Sequence, residues 1–300
     1  MPKEPISIKG GLLETVTHRQ VTRPDVRLNY FENKKIPTIS ENPSLFDRIS
    51  FDIKEMSFSV ENHLVTTNIP KKTITDVIPS DYLAKATISA LYQKMLIGTE
   101  KRLFEKYSKV AWDNYQKGVS KWQKFILSLL KMKKYTYVGN SPSSLRERIY
   151  ILSNKIFAST NTSPGNFVIL PHGLLTLLEE NPSLEYINPQ SAGRILDLPN
   201  SRFVKRGRVG NISVYHDTYA KWDSHDVIVG KTSEGHGHPG IYFCEYSNEY
   251  QSTEDHLSLG MKVGLISKNV LADVGDLSGM YIADKISTKV KPWWMKILGI

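Results

Sequence analysis

A single cysteine, Cys244, is all the thiol chemistry this chain of 300 residues carries, and that scarcity excludes a disulfide framework within the chain. Long apolar runs are missing as well. No stretch approaches the roughly 18 consecutive apolar residues of a membrane-spanning helix, and the opening "MPKEPISIKGG" lacks the apolar centre of a signal peptide. The expectation is a chain made in a reducing cytoplasm, neither exported through a signal peptide nor membrane-spanning, and stabilised by packing, by partners or by both. Also missing are C-x-x-C, H-E-x-x-H, a P-loop and a G-x-S-x-G elbow, so the most recognisable zinc, phosphate and nucleophile arrangements are excluded.

What the chain does have is positive charge. Lys and Arg number 39 against 30 Asp and Glu, for a net +9 and a pI of about 9.3. The surplus is local: Lys101 to Lys134 holds ten basic and two acidic residues. Such a stripe attracts a polyanion through phosphate neutralisation and counterion release, or it is simply the solvated face of a helix. Hydrophobic residues at 40% and charged residues at 23% are the proportions of a folded chain long enough to bury a substantial core.

Residues 1 to 47 mix Pro, Asn, Arg and Thr with scattered apolar positions and no sustained period, which reads as an extended arm. From Phe51 to Val77 polar and apolar residues alternate (Phe51, Ile53, Met56, Phe58, Val60), predicting a long ribbon, bent or at a sheet edge because of Pro70. "PSDYLAKATISALYQKMLIGTEKRLF" then repeats Ala84, Ile88, Leu91 and Met95 at helical spacing behind a Ser80 or Asp81 cap, with Gly98 as a weak point. A second amphipathic piece follows Gly118, with Trp122, Phe125, Ile126 and Leu129 on one side. It either lies on a membrane surface or packs on its own protein with its lysines in solvent. Ser144 and Glu147 have capping-box spacing ahead of the stripe Leu145, Ile149, Leu152 and Ile156. "NFVILP" predicts a strand and "HGLLTLLEENP" a compact helix, Asn188 to Ser201 a loop. "NISVYHD", "HDVIVGK", "GIYFCEY" and "SLGMKVGLI" predict short strands. This order indicates an α+β fold.

"TSEGHGHPGIYFCEY", Thr232 to Tyr246, carries three functional signatures. Gly235, Gly237 and Gly240 spell a dinucleotide fingerprint, but a helix must leave that turn to present its N–H groups to the pyrophosphate, and here a strand does. His236 and His238 could join His216, Asp223 and His225 in a metal-dependent enzyme, yet nothing completes a credible four-ligand set, and no structural metal is expected on the pair. Cys244, inside a strand, reads as a small buried residue. No catalytic, cofactor-binding or metal-binding residue is assigned. The competing readings are that metal enzyme and a soluble nucleic-acid-binding module using Lys101 to Lys134.

Three segments in order resemble one family. "SLRERIYILSNKIFASTNTSPGNFVILPHGLLTLLEE" (144–180), "GNISVYHDTYAKWDSHDVIVGKTSEGHGHPGIYFCEYSNE" (210–249) and "LSLGMKVGLISKN" (257–269) are similar to major capsid proteins of contractile-tailed bacteriophages, whose fold is shared with herpesvirus capsid floors. The resemblance implies an N-terminal arm and the start of an E-loop in 1–47, and in 48–161 a peripheral domain with the rest of the E-loop and a long spine helix from Ser80 to about Lys117. It implies an axial domain in 162–250 and a return to the peripheral domain in 251–300. The E-loop, somewhere in 20 to 70, is modest, and no cleaved propeptide is evident. The glycine-histidine stretch then becomes a tight connection between two axial-domain strands.

The function this implies is self-assembly into hexamers and pentamers of an icosahedral shell around double-stranded DNA. The close variants are a vertex protein or a nanocompartment shell. The implied location is the virion, after assembly in the host cytoplasm, and the further partners are scaffolding, portal and cement proteins. No cofactor, membrane or catalysis is involved. Lys117, Lys121, Lys124, Lys131, Lys133 and Lys134 are the candidate DNA-facing residues.

Overall fold

Buried positions recur every fourth residue through Leu91, Met95, Thr99, Leu103, Tyr107 and Ala111, the spacing that keeps side chains on one helix face. The computed structural model describes residues 10–31, 53–70, 80–129, 134–160, 163–180, 184–186, 201–233, 240–255, 260–293 and 295. In it that stripe belongs to α1 (Ser80–Lys117), 38 residues long, about 57 Å at ~1.5 Å per residue. Gly98 does not interrupt it. A Cβ added there meets nothing within 4 Å, so Gly98→Ala is expected to raise the unfolding free energy by about 1 kcal/mol. The check is a higher denaturant midpoint at unchanged slope.

Two sheets pack on this helix. The smaller contains β1 (Thr17–Gln20), β4 (Glu61–Pro70), β11 (Gly240–Asp255) and β12 (Gly260–Val274) in the order β1-β11-β12-β4. The larger joins β5 (Thr136–Tyr137), β6 (Phe167–Leu170), β7 (Leu184–Tyr186), β8 (Phe203–Val209), β9 (Ile212–Asp217), β10 (Asp226–Gly230) and β13 (Tyr281–Ser287) in the order β5-β13-β10-β6-β9-β8-β7. A separate hairpin pairs β2 (Asp25–Phe31) with β3 (Ile53–Ser59). α1 touches β10 and β13 of the larger sheet and β4 and β12 of the smaller, so one apolar cluster is continuous through both.

Alternation explains how the smaller sheet is covered. In β11, Ile241 and Phe243 join the cluster under α1, while Tyr242 and Cys244 face the other way and pack with Val26 and Leu28 of the hairpin. In β12, Leu265 and Leu271 face α1, and Val270, Ala272 and Val274 face the hairpin. On the larger sheet, α3 (Pro142–Thr160) and α4 (His172–Glu179) cover a face with Leu145, Ile149, Leu152, Ile156, Leu174 and Leu178. Arg148 of α3 is pinned to buried Asp284 of β13 at 2.6 Å.

Several expectations shift. Residues 11–20, expected as part of an extended arm, are anchored on the body: a 3-10 turn (Gly11–Thr15) buries Leu12 and Leu13, and β1 runs parallel to β11 from Tyr242 to Glu245. The α3 cap lies three residues earlier than the capping box, since the N–H of Ser144 donates to Ser141 Oγ at 3.4 Å and Pro142 opens the helix; proline suits that position because its missing N–H is unpaired there in any case. β11 and β12 are long strands, while β8 and β13 were not expected at all. The limit drawn at residue 250 falls inside β11, and β13 returns to the larger sheet. The glycine-histidine stretch, expected to connect two axial-domain strands, follows β10 of the larger sheet and precedes β11 of the smaller. Its residues 234–239, residues 32–52 between β2 and β3, and all but the last residue of the expected 188–201 loop lie outside the described residues.

Candidate assembly surface

The interior is occupied by structural networks. Glu100 of α1 is fully buried, and its carboxylate accepts from Leu12 N–H (2.9 Å), Ser201 Oγ (2.8 Å) and Arg202 N–H (3.1 Å). Gly11 must lack a side chain here, because a Cβ would lie 1.8 Å from Glu100 Oε1. Desolvation raises the Glu100 pKa despite those donors. Next to it Arg202 makes a two-pronged pair with Asp217, Nε–Oδ1 3.0 Å and Nη2–Oδ2 2.8 Å, with its guanidinium over the rings of Phe104 and Phe203.

The enzyme-like residues do not assemble. His216 is buried in β9 with its ring beside that of His172, His225 lies edge-on to Tyr135, and Asp223 is exposed. His236 and His238 lie outside the described residues. Among the described residues no three His, Cys, Asp or Glu side chains are placed to share a metal. Gly240 opens directly into β11, so the fingerprint lacks its helix. Burial pushes the Cys244 thiol up to about 11 against the pull of Arg19, which leaves it protonated and unreactive near neutral pH.

The basic segment divides in two. Arg102 and Lys106 turn inward: Arg102 reaches His63 and Asn269, and Lys106 pairs with Asp273 at 2.7 Å. Lys117, Lys121 and Lys124 are exposed and pair with no described acidic side chain. Lys134 donates to Gln123 Oε1 at 3.1 Å, and Lys131 and Lys133 are outside the described residues. Between these lysines, α2 (Lys121–Leu129) turns Leu127 inward onto Met295 and leaves Trp122 (62%), Phe125 (59%) and Leu129 (69%) exposed. Three of the four residues assigned to a packed face are thus in the open. The helix is amphipathic as its sequence suggests, but its residues Ile126 and Leu127, not the aromatic pair, meet the rest of the chain. No described helix is long and apolar enough to cross a membrane.

A long helix spanning two sheets, with an appended hairpin and an apolar, basic surface left open, is the layout that the resemblance to tailed-phage shell subunits leads one to expect. The sequence pattern of the family described as major capsid protein Gp23 matches residues 79–272. That is well over half of the chain, and the protein belongs to the Gp23 major capsid protein family. No curated protein is significantly similar to it in sequence. Among solved structures, the capsid of Ralstonia phage GP4 matches with a TM-score of 0.50 at 10% identity, covering 97% of this chain and 94% of that one. Microbacterium phage Oxtober96 gives 0.49 at 7% identity (96% and 95% covered), and the capsid of Myoviridae phage XM1 gives 0.45 at 10% (96% and 96%). At 10% identity the GP4 match speaks to the fold alone. Family membership makes the chain a shell-forming structural protein and a virion component that assembles with copies of itself.

Proposed function

We propose that this chain forms both hexamers and pentamers of an icosahedral shell around double-stranded DNA, assembled in the host cytoplasm and without catalysis. The observation that carries the reading is the run of family-matched residues from the start of α1 through most of β12, which spans both sheets. In this reading the peripheral domain is α1 with the smaller sheet. The axial domain is the larger sheet with α3 and α4, which adds α3 and β13 to the expected 162–250, and the E-loop is the β2–β3 hairpin with the residues between its strands. The stretch 61–70 then belongs to the subunit body, since β4 is paired along its length with β12. Scaffolding, portal and cement proteins are the further partners in the same proposal.

The DNA-facing residues in this reading are Lys117, Lys121 and Lys124, with Lys131, Lys133 and Lys134 continuing the run. Phosphates are uniform along a duplex, so point charges on flexible stems suffice and no base-reading geometry is needed. Each phosphate neutralised adds about 0.9 to the salt slope, weak singly and large when summed over a shell. Changing Lys117, Lys121 and Lys124 together to glutamate is expected to spare empty shells and lower the stability of filled ones, most visibly at low salt. Particle melting with and without DNA is the measurement. Equal responses, or failed assembly, would assign the segment to contacts between subunits.

A further inference from the structure

His216 is the one buried histidine whose ring is left unsatisfied among the described residues. It is 6% exposed, and neither Nδ1 nor Nε2 has a hydrogen-bond partner. Its strand neighbours are Leu170 of β6 and Val204 of β8, which offer it no polar side chain. Its ring instead lies 5.2 Å from that of His172, the first residue of α4, and His172 lies 3.9 Å from the Trp222 ring. The backbone follows the rings: a Cβ on Gly173 would come within 2.9 Å of the Trp222 carbonyl oxygen. The turn after β9 and the start of α4 are therefore held together over His216.

We propose that His172 and His216 form an acid-sensitive latch, in which neutral rings hold α4 and residues 218–224 against the larger sheet and protonation releases them. The surroundings make a charged pair untenable. The groups acting on His216 are Arg206 from β8, His172 from α4 and Asp217 from its own strand. Among the described residues Asp217 is the only anion acting on it, and both of its oxygens are already engaged by Arg202. Lys221 and Asp223 in the turn are exposed. A proton on His216 would put an unpaired cation in a buried site beside two further cationic or ionisable groups.

Desolvation, then Arg206 and His172, hold the His216 pKa below the ordinary 6.5. The folded state therefore binds fewer protons than the open one, and the latch is fully closed above about pH 6.5. It weakens as pH falls through and below that value. The latch is independent of whether the shell encloses DNA.

Hydrogen exchange on the full chain tests this, read for residues 172–179 and 218–224 at about pH 7.5 and about pH 5.5 after correction for intrinsic rates. Wild-type protection should fall on acidification by several-fold and by no more than about tenfold, the ceiling set by pH 5.5 lying about one unit below the ordinary imidazole value. His216→Phe, which removes the proton site and needs no partner, should stay within about twofold. An equal acid response in His216→Phe overturns the proposal, as does an unchanged wild type. Should that variant fail to fold, histidine-selective NMR of the wild-type chain decides: a His216 titrating at or above the ordinary value sinks the latch, and one below it supports it.

Discussion

Glu100→Ala is expected to lower the unfolding free energy by about 3 kcal/mol, because the Leu12 and Arg202 N–H groups lose their acceptor, while Ser201 Oγ keeps its bond to the Phe203 carbonyl. Leu12 N–H, Ser201 Oγ and Arg202 N–H all converge on that carboxylate. Two effects oppose each other. Burying the charge is costly, as the raised Glu100 pKa records, and removing it recovers that cost. Orphaning a donor costs about 1–3 kcal/mol, and with two backbone N–H groups left without the carboxylate, that of Leu12 fully buried, the loss wins. The pH dependence separates the two effects. Since the folded-state pKa lies above the ordinary 4.5, ionisation penalises the fold fully above the folded value, and the penalty disappears as pH falls toward 4.5. The gap between wild type and Glu100→Ala should thus widen from pH 7 to pH 5 in urea melts. A variant as stable as wild type would mean that water replaces the carboxylate without loss.

A second large effect is expected at Gly230. This residue of β10 faces Phe167 of β6 on one side and Tyr281 of β13 on the other, and both rings lean over the position where a side chain would stand. An alanine Cβ would sit 2.3 Å from Phe167 Cζ and 2.7 Å from Tyr281 Cδ1. Neither ring has room to retreat, since both are fully buried and lie against Tyr107 of α1. Overpacking of this kind typically costs about 1–3 kcal/mol, and two immovable rings place Gly230→Ala at about 3 kcal/mol. Thermal unfolding would show it as a lower midpoint, and restoration by Phe167→Leu in the same chain would attribute the loss to the clash.

The helices were legible because their burial is local. Leu145, Ile149, Leu152 and Ile156 form a stripe in sequence and in space, and α1 runs between the residues its pattern suggests. Strands buried on two faces were harder. β11 carries apolar residues toward α1 and toward the hairpin alike over Gly240–Cys244, but beyond it the polar run "YSNEYQ" is partly exposed and held by pairing with β12, so nothing in its own pattern marks the strand's length. β8, "FVKRGRV", is interrupted by a bulge between Lys205 and Gly207, which breaks the period by one residue. Leu12 and Leu13 offered only two adjacent apolar residues, too few to reveal a core role that depends on Glu100, some 88 positions away. The basic segment was visible as charge, but which lysines turn inward depends on Asp273 and Asn269, far along the chain. The outward turn of Trp122 and Phe125 had no sequence signal, because an amphipathic helix of one exposed and one buried face reads the same whichever partner covers it.

The parallel seating of β1 on β11 also sets an order of events during synthesis. Thr17 waits for Tyr242 and Leu64 for Ile266, so the smaller sheet can close only when nearly the whole chain has left the ribosome. Until then the face of α1 bearing Leu91, Met95 and Leu103 has only part of its cover. Pairings so distant in sequence close slowly, because the entropy of joining them must be met before any contact rewards it. In a cell making many copies at once, each nascent subunit therefore passes through an interval when its own missing strands and those of a neighbour are equally good partners, and orderly growth of a shell depends on the first finding its place before the second arrives.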